Sequence, residues 1–314
     1  MAKFAQYYLR YNLDDMFSKE FKDKRQELFG GFFKDNESIE FAMGEDDNRK
    51  IYKHQVYHLT GNPNIIIMRI ANDKVKTVEQ DFKNVDVRHE PSCYVIIDNR
   101  ENCRRIAIQK NKSAFGSTKH VGDIITQCAN HRMIQEYNIG IELHPQFYPK
   151  DFYKAWRLHQ YHTAKLRFSI SANNVPDDFD KGVLDDDSIM GFAIMANEEA
   201  FLKKYRATVE LAPPDNIEFL PVDEDSTYIR NLVNFSALTG NRIEIVTSDG
   251  AKFTCYINDD EESDTIVCNE LESEYLDILF NPESDERNVA EQKVLEFVNK
   301  MKYTIDEKQE EEAA

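Results

Sequence analysis

An α+β fold is predicted by three features of the 314-residue sequence. Segments alternating at period two crowd its first half, and helical spacing dominates toward its end. Between them the Asn-, Pro- and Asp-rich stretch "SANNVPDDFDKGVLDDDS" breaks both patterns at residues 171–188. The expected architecture is an N-terminal, mostly antiparallel sheet with a few helices, followed by a smaller acidic α+β domain that ends in helices. The boundary is placed at 172/173.

Taken in order, "KFAQYYLRY" reads as a strand. "DDMFSKEFKDKRQELFGGFF" then has helical spacing, with Phe17, Phe21 and Leu28 on one face and Gly30 and Gly31 ending the helix. "SIEFAM", "KIYKHQVYHL", "NIIIMRIA", "CYVIID", "RRIAIQ" and "IGIEL" are strands, separated by turn signals at "GNPN" (61–64) and "DNREN" (98–102). A helix begins near Val121 in "KHVGDIITQCANHRMIQEY", and a second, "PKDFYKAWRLHQYH", has Pro149 at its start. "AKLRFSISA" closes the first domain as a strand. After the break come a helix through "IMANEEAFLKKY", the strand "RATVELA" and a stop at Pro213 and Pro214. The helix "STYIRNLVNFSALTG" follows, then the hairpin "NRIEIVTSDGAKFTCYI" with an Asp-Gly turn. Two helices around "LESEYLDILF" and "NVAEQKVLEFVNKMK" finish the fold, and the charged tail frays from about residue 305.

Composition narrows the class. Apolar residues make up 41%, with 20 Phe and 15 Tyr, enough for a folded protein. The first residues lack the apolar run of a signal peptide, and no window approaches the roughly 20 apolar residues that cross a bilayer. A cytoplasmic protein without membrane insertion is expected. Five scattered cysteines fit a reducing compartment; Cys93 and Cys103, if facing in one hairpin, would permit a disulfide, but buried thiols are the commoner case.

Charge is the most informative feature. Up to Ala172 the chain has 27 Lys or Arg against 22 Asp or Glu; beyond it, 12 against 35. All eight histidines fall in the first part. One segment, "YVIIDNRENCRRIAIQKNKSAFGSTKH" (94–120), holds six Lys or Arg against only Asp98 and Glu101, in a chain of net charge −18. As a hairpin it places Arg100 at the tip, Arg104 and Arg105 on opposite faces, and Lys110 and Lys112 on one face. Lys119 and His120 sit where the next helix begins, at unpaired N–H groups that favour an anion. Phosphate backbone is the natural polyanion for such a set. The blander reading pairs these cations with carboxylates of the acidic domain in an internal interface, and both hold if that domain masks the basic one.

Other clusters carry less. His159 and His162 share a face if "PKDFYKAWRLHQYH" stays helical to its end, the spacing of two metal ligands, but no carboxylate partner follows at a recognisable interval. Trp156 and Tyr161, if exposed, would stack on bases. The runs "DDDS", "VDEDS" and "NDDEESD" lack the glycine and closing Glu of a calcium loop and read as solvated charge. With no nuclease, Walker, nucleophile-elbow or dinucleotide motif, a cofactor is not expected and an enzyme is the minority reading.

The order "KIYKHQVYHLTGNPNIIIMRIAN", "DKVKTVEQDF", a strand after Pro91 and the basic strand "RRIAIQK" resembles the RexA family of phage exclusion proteins and the KwaB component of Kiwa defence systems. "GNRIEIVTSDGAKF" and a late helix are similar as well. The resemblance implies a cytosolic antiviral protein that binds DNA without sequence preference and acts with a partner. The expectation is therefore a nucleic-acid-binding sensor or accessory protein, with DNA as partner and a further protein partner for the acidic half. The alternatives are a DNA-mimicking interaction module and, second, a metal-dependent hydrolase at His159 and His162. Oligomeric state is left open.

Overall fold

Strand "NIIIMRIA" is apolar at nearly every position, which suits a strand covered on both faces, and it lies at the centre of the largest sheet. The computed structural model describes residues 1–13, 19–34, 40–44, 49–80, 83–100, 103–137, 139–170, 207–254 and 266–301. The sheet takes its strands from β1 (Ala2–Leu13), β2 (Phe41–Met43), β3 (Lys50–Leu59), β4 (Asn62–Ala71), β7 (Ser92–Asp98), β8 (Arg105–Gln109) and β14 (Cys268–Leu271), in the order β14-β1-β8-β7-β4-β3-β2. Its neighbours pair antiparallel from β2 through β8, and β14 is antiparallel to β1. Between β4 and β7 the chain makes β5 (Lys74–Gln80) and β6 (Lys83–His89), a separate two-stranded ribbon.

Helices α1 (Lys19–Phe32) and α2 (Thr118–Tyr137) belong to this unit, α2 against β8 and β2 and α1 against α2. Helices α5 (Ser273–Leu279) and α6 (Arg287–Lys300) cover a sheet face, burying Leu276, Leu279, Val294 and Phe297 against Phe4, Ile65, Ile67 and Ile96. Polar ties hold them there. Tyr94 Oη donates to Asp277, while Glu291 accepts from Tyr57 Oη at 2.6 Å, Thr60 N at 3.0 Å and Thr60 Oγ1 at 2.8 Å.

A second sheet contains β10 (Thr163–Ile170), β11 (Ala207–Leu211), β12 (Ile243–Thr247) and β13 (Lys252–Thr254), in the order β11-β10-β12-β13. Its core joins Leu166, Phe168 and Ile245 to Phe152 and Trp156 of α3 (Pro149–Leu158) and Leu232 and Phe235 of α4 (Thr227–Thr239). Ser226 caps α4 by accepting from Ile229 N, and Gly240 ends it at φ +60°, where a Cβ would lie 2.6 Å from His144 Cβ. Buried Arg10 donates to Thr239 O and Asn241 Oδ1, both at 2.8 Å, placing a cation at the helix's negative end.

The α+β class holds, and several local expectations are corrected. Helix α1 runs through Gly30 and Gly31 instead of stopping there. Gly30 packs closely: a Cβ on it would meet Asn99 Nδ2 at 2.8 Å, so that side chain would have to shift. Phe29, Phe32 and Phe33 are the buried residues at this end; the side chains of Phe17 and Phe21 lie outside the described residues. "AKLRFSISA" does not close the first sheet but is an inner strand of the second. The break at 171–188, the helix expected at "IMANEEAFLKKY" and the tail also lie outside the described residues.

Two compact units divide the chain, and the division is not at 172. Among the described residues, those within 1–6, 19–143 and 268–301 form one, and those within 7–13 and 144–267 the other. The last two helices thus belong with the basic hairpin. Strand β9 (Ile139–Pro145) carries the chain across one of these boundaries.

Cys93 and Cys103 are buried free thiols. Cys93 faces Ile70 of β4, and Cys103 precedes β8, so they are not the facing pair a disulfide needs. Burial pushes the Cys93 thiol up to about 12, leaving roughly one molecule in ten thousand as thiolate at pH 8. Iodoacetamide at pH 8 is expected to label Cys93 only once the protein is unfolded; labelling of the native protein, read by peptide mass mapping, contradicts this packing. Glu291 gives a second test. Burial raises its pKa, but the hydrogen bonds from Tyr57 and Thr60 outweigh burial and hold it below the ordinary value. A depressed folded-state pKa stabilises the protein above the unfolded value, near 4.5, and that stability is lost as pH falls through the folded value. Glu291→Gln, whose amide oxygen can still accept these bonds, is expected to cost about 0.5 kcal/mol at pH 7, because the group is partly exposed to solvent, and to flatten the fall in melting temperature between about pH 5 and 3.

Candidate nucleic-acid interface

Hairpin β7–β8 forms as its alternation requires, with Asp98 facing Arg105 and Val95 facing Ile108. Its cations are not equally available. Arg100 folds back on Asp98, with Nε to Oδ1 at 2.8 Å and Nη2 to Oδ2 at 2.9 Å, and its Nη1 donates to Asn299 Oδ1 at 3.0 Å. Because the Asp98 side chain is fully buried, this bidentate pair is a structural tie. Arg104 is buried at 5% exposure. Arg105 is half-buried, with Nη1 out of contact with solvent and lacking a hydrogen-bond partner. Of the three arginines expected to meet phosphate, Arg100 is tied to Asp98 and Arg104 is buried, while Arg105 keeps part of its surface in solvent.

The returning loop is different. Lys110 and Lys112 are exposed. Residues 111–115 form a tight turn: Asn111 Oδ1 accepts from Ser113 N and Oγ at 3.2 and 2.6 Å, and Asn111 O accepts from Ala114 N and Phe115 N at 3.0 Å. Two side chains fix the turn to its surroundings. Asn111 Nδ2 donates to Ser92 O at 2.8 Å, and buried Asn72 donates to Ala114 O at 2.6 Å.

At the start of α2, Ser117 Oγ accepts from His120 N at 3.0 Å, so the cap already occupies one of the N–H groups expected to receive an anion. His120 is half-buried between the rings of Tyr52 and Phe115. Lys119 pairs with Asp123 at 3.0 Å, but both are exposed, and such a pair is weak enough for a phosphate to displace.

Asn72 links the loop to the ribbon's base. The backbone of Asn72 donates to Pro91 O at 2.9 Å, and Lys74 Nζ reaches Ser113 O at 2.8 Å. The ribbon that the periodicity reading missed therefore shares a surface with Lys110 and Lys112. Lys76, Lys83 and Arg88 on it are exposed and, like Lys110, have no carboxylate partner among the described residues. The nearby carboxylates Glu90 and Asp86 engage Lys53 and Thr77 respectively, while Asp73 is exposed beside the ribbon's start. Its alternating valines and lysines were the available signal, in "KVKTVEQ" and "KNVDVRH".

The histidine site does not assemble as expected. Helix α3 ends at Leu158, so His159 and His162 lie in the following turn instead of on one helical face. His159 stacks on Phe253 at 4.0 Å between centroids, and His162 meets Phe219 edge-on. No group of three or more His, Cys, Asp or Glu able to hold a metal occurs among the described residues. Trp156 is fully buried and cannot stack on a base, whereas Tyr161 is exposed. No helix among the described residues is long and apolar enough to cross a membrane.

Charge reversal separates the two classes of cation. Arg104→Glu buries an unpaired carboxylate and is expected to cost about 3 kcal/mol or more. Lys110→Glu is expected to leave the melting temperature within about 2 °C, because exposed substitutions typically stay within about 0.5 kcal/mol. Equal thermal shifts for both would contradict the assignment. No family model matches this chain, and neither a curated protein nor a solved structure matches it, so the functional reading rests on geometry.

Proposed function

We propose that this protein binds nucleic acid through the phosphate backbone, using the turn at Lys110 and Lys112 together with the adjoining ribbon, and so acts as a sensor or accessory protein. One observation carries the reading: in a chain of net charge −18, Lys76, Lys83, Arg88 and Lys110 lack carboxylate partners among the described residues, on neighbouring elements tied by Asn72 and Lys74. Several exposed cations elsewhere are answered locally, although Lys3, Lys34 and Lys252 are exposed without a carboxylate partner among the described residues and do not gather on one ribbon. Arg157 is held by Glu224, Lys165 and Arg167 by Glu210, and Arg242 by Glu244. A cluster left uncompensated against that background marks where a polyanion is attracted. The layout shared with RexA and KwaB supports placing this activity in defence against phage.

With about five phosphates neutralised, affinity is expected to fall roughly 500-fold between about 50 and 200 mM salt. A 20-base-pair duplex followed by fluorescence anisotropy reads this directly. Lys110→Ala combined with Lys112→Ala is expected to make the log–log salt slope shallower by about 2, whereas Lys150→Ala with Lys154→Ala, in the other unit, leaves it unchanged. Absence of salt-dependent binding by the wild-type protein overturns the proposal.

A further inference from the structure

Strands β5 and β6 are the distal half of one hairpin whose proximal half is β4 and β7. In the sheet, Ala71 faces Ser92; three residues further on along each strand Lys74 faces His89, with no slip in register, and pairing continues to Gln80 and Lys83. The proximal half is buried from Ile65 to Met68 and from Cys93 to Asp98. The distal half is exposed over most of its described length, so the sheet's central hairpin projects an arm of about 20 Å.

The two faces of this arm differ in charge. Lys74, Lys76, Lys83 and His89 alternate onto one face with Val85 and Val87, and no carboxylate falls there among the described residues. Thr77 and Asp86 face each other on the opposite side and hydrogen-bond at 2.7 Å, with Val75 and Arg88 beside them. Lysines placed only to keep two open strand edges from pairing with another chain would not need this segregation. A cationic face flanking two small exposed apolar side chains, at 39% and 44% exposure, instead suits a surface with phosphates at its margins and methyl groups in its floor.

Resting on the nucleic-acid reading above, we infer that this arm seats in the major groove of duplex DNA. That groove, about 12 Å wide and 8.5 Å deep, admits a two-stranded ribbon. Lys76 and Lys83 lie toward the phosphates bordering it, and Val85 and Val87 toward the thymine methyls. Lys110 and Lys112, at the arm's root, meet the backbone outside the groove.

The test compares a 20-base-pair duplex with the same-length single strand, at one salt concentration. The wild-type protein is expected to favour the duplex. Lys76→Gln with Lys83→Gln is expected to weaken duplex binding about tenfold and single-strand binding about threefold or less, with an unchanged melting temperature. A second variant, Val85→Thr with Val87→Thr, keeps β-branching and all charge, and is expected to lower duplex affinity alone. Methyl green, which occupies the major groove, is expected to compete, and netropsin in the minor groove is not. Equal binding of both nucleic acids, unaffected by the arm variants, overturns the groove assignment and leaves the phosphate reading standing. Binding of neither overturns both. Concentration-dependent dimerisation abolished by the arm variants, without DNA binding, identifies the arm as a contact between copies and overturns the inference.

Discussion

The single register running from Ile65 opposite Asp98 to Gln80 opposite Lys83 is the constraint on which the rest depends. Its proximal strands are buried by helices and neighbouring strands, so their direction and twist are set by the core; its distal strands inherit both without a core of their own. A two-stranded ribbon alone is marginal in water. Continuity with β4 and β7 gives it a fixed root, which Asn72, Lys74 and Asn111 secure to the turn carrying Lys112. The same hairpin ends at its other extremity in Asp98, whose buried carboxylate holds Arg100. Packing at one end and exposed charge at the other are therefore two consequences of one pairing.

Charge along the chain is a poor guide to charge in space. The acidic second half contributes its segment 268–301, with nine carboxylates against three cations, to the same unit as the basic hairpin. Some of those carboxylates act structurally. Asp277 accepts a hydrogen bond from Tyr94, fastening α5 to β7, and Glu291 accepts from Tyr57 and Thr60, fastening α6 to β3 and the turn after it. The masking arrangement considered from sequence, with one acidic domain covering one basic domain, presupposes a partition that the chain does not keep.

Much of the secondary structure was legible because it obeys local rules: the alternation in "KIYKHQVYHL", the apolar run in "NIIIMRIA", Pro149 opening α3, Ser226 and Gly240 bounding α4. Gly30 was misread for a physical reason. As a chain terminator glycine acts through positive φ, but here it acts through what it lacks, since a Cβ would strike Asn99. The arm was passed over although its valines and lysines alternate, because an exposed ribbon has no run of large apolar side chains to mark a buried face. At the candidate site, residue type alone marked Arg100, Arg104 and Arg105 as equal to Lys110 and Lys112. Only burial and partners separate them, and those depend on Asp98 and Asn299, the latter distant in sequence.

The proposed attraction of phosphate by a chain of net charge −18 is a question of distance against screening. At about 0.15 M salt the Debye length is about 8 Å, whereas the arm extends about 20 Å from its root. Cations on its outer part therefore interact chiefly with charges within about one Debye length of them. On the face proposed to meet phosphate the local charges are Lys76 and Lys83, with Asp86 turned to the other face and hydrogen-bonded to Thr77. At the root, closer to Asp73 and Glu90, the balance is less favourable, and there Lys53 and Lys50 matter: Lys53 pairs with Glu90, and Lys50 donates to Asn72 and to the Asp73 carbonyl. Of the near-root carboxylates, Glu90 is thus offset by Lys53. On the proposed reading, projection, more than the number of cations, is what would let an acidic protein present a basic surface.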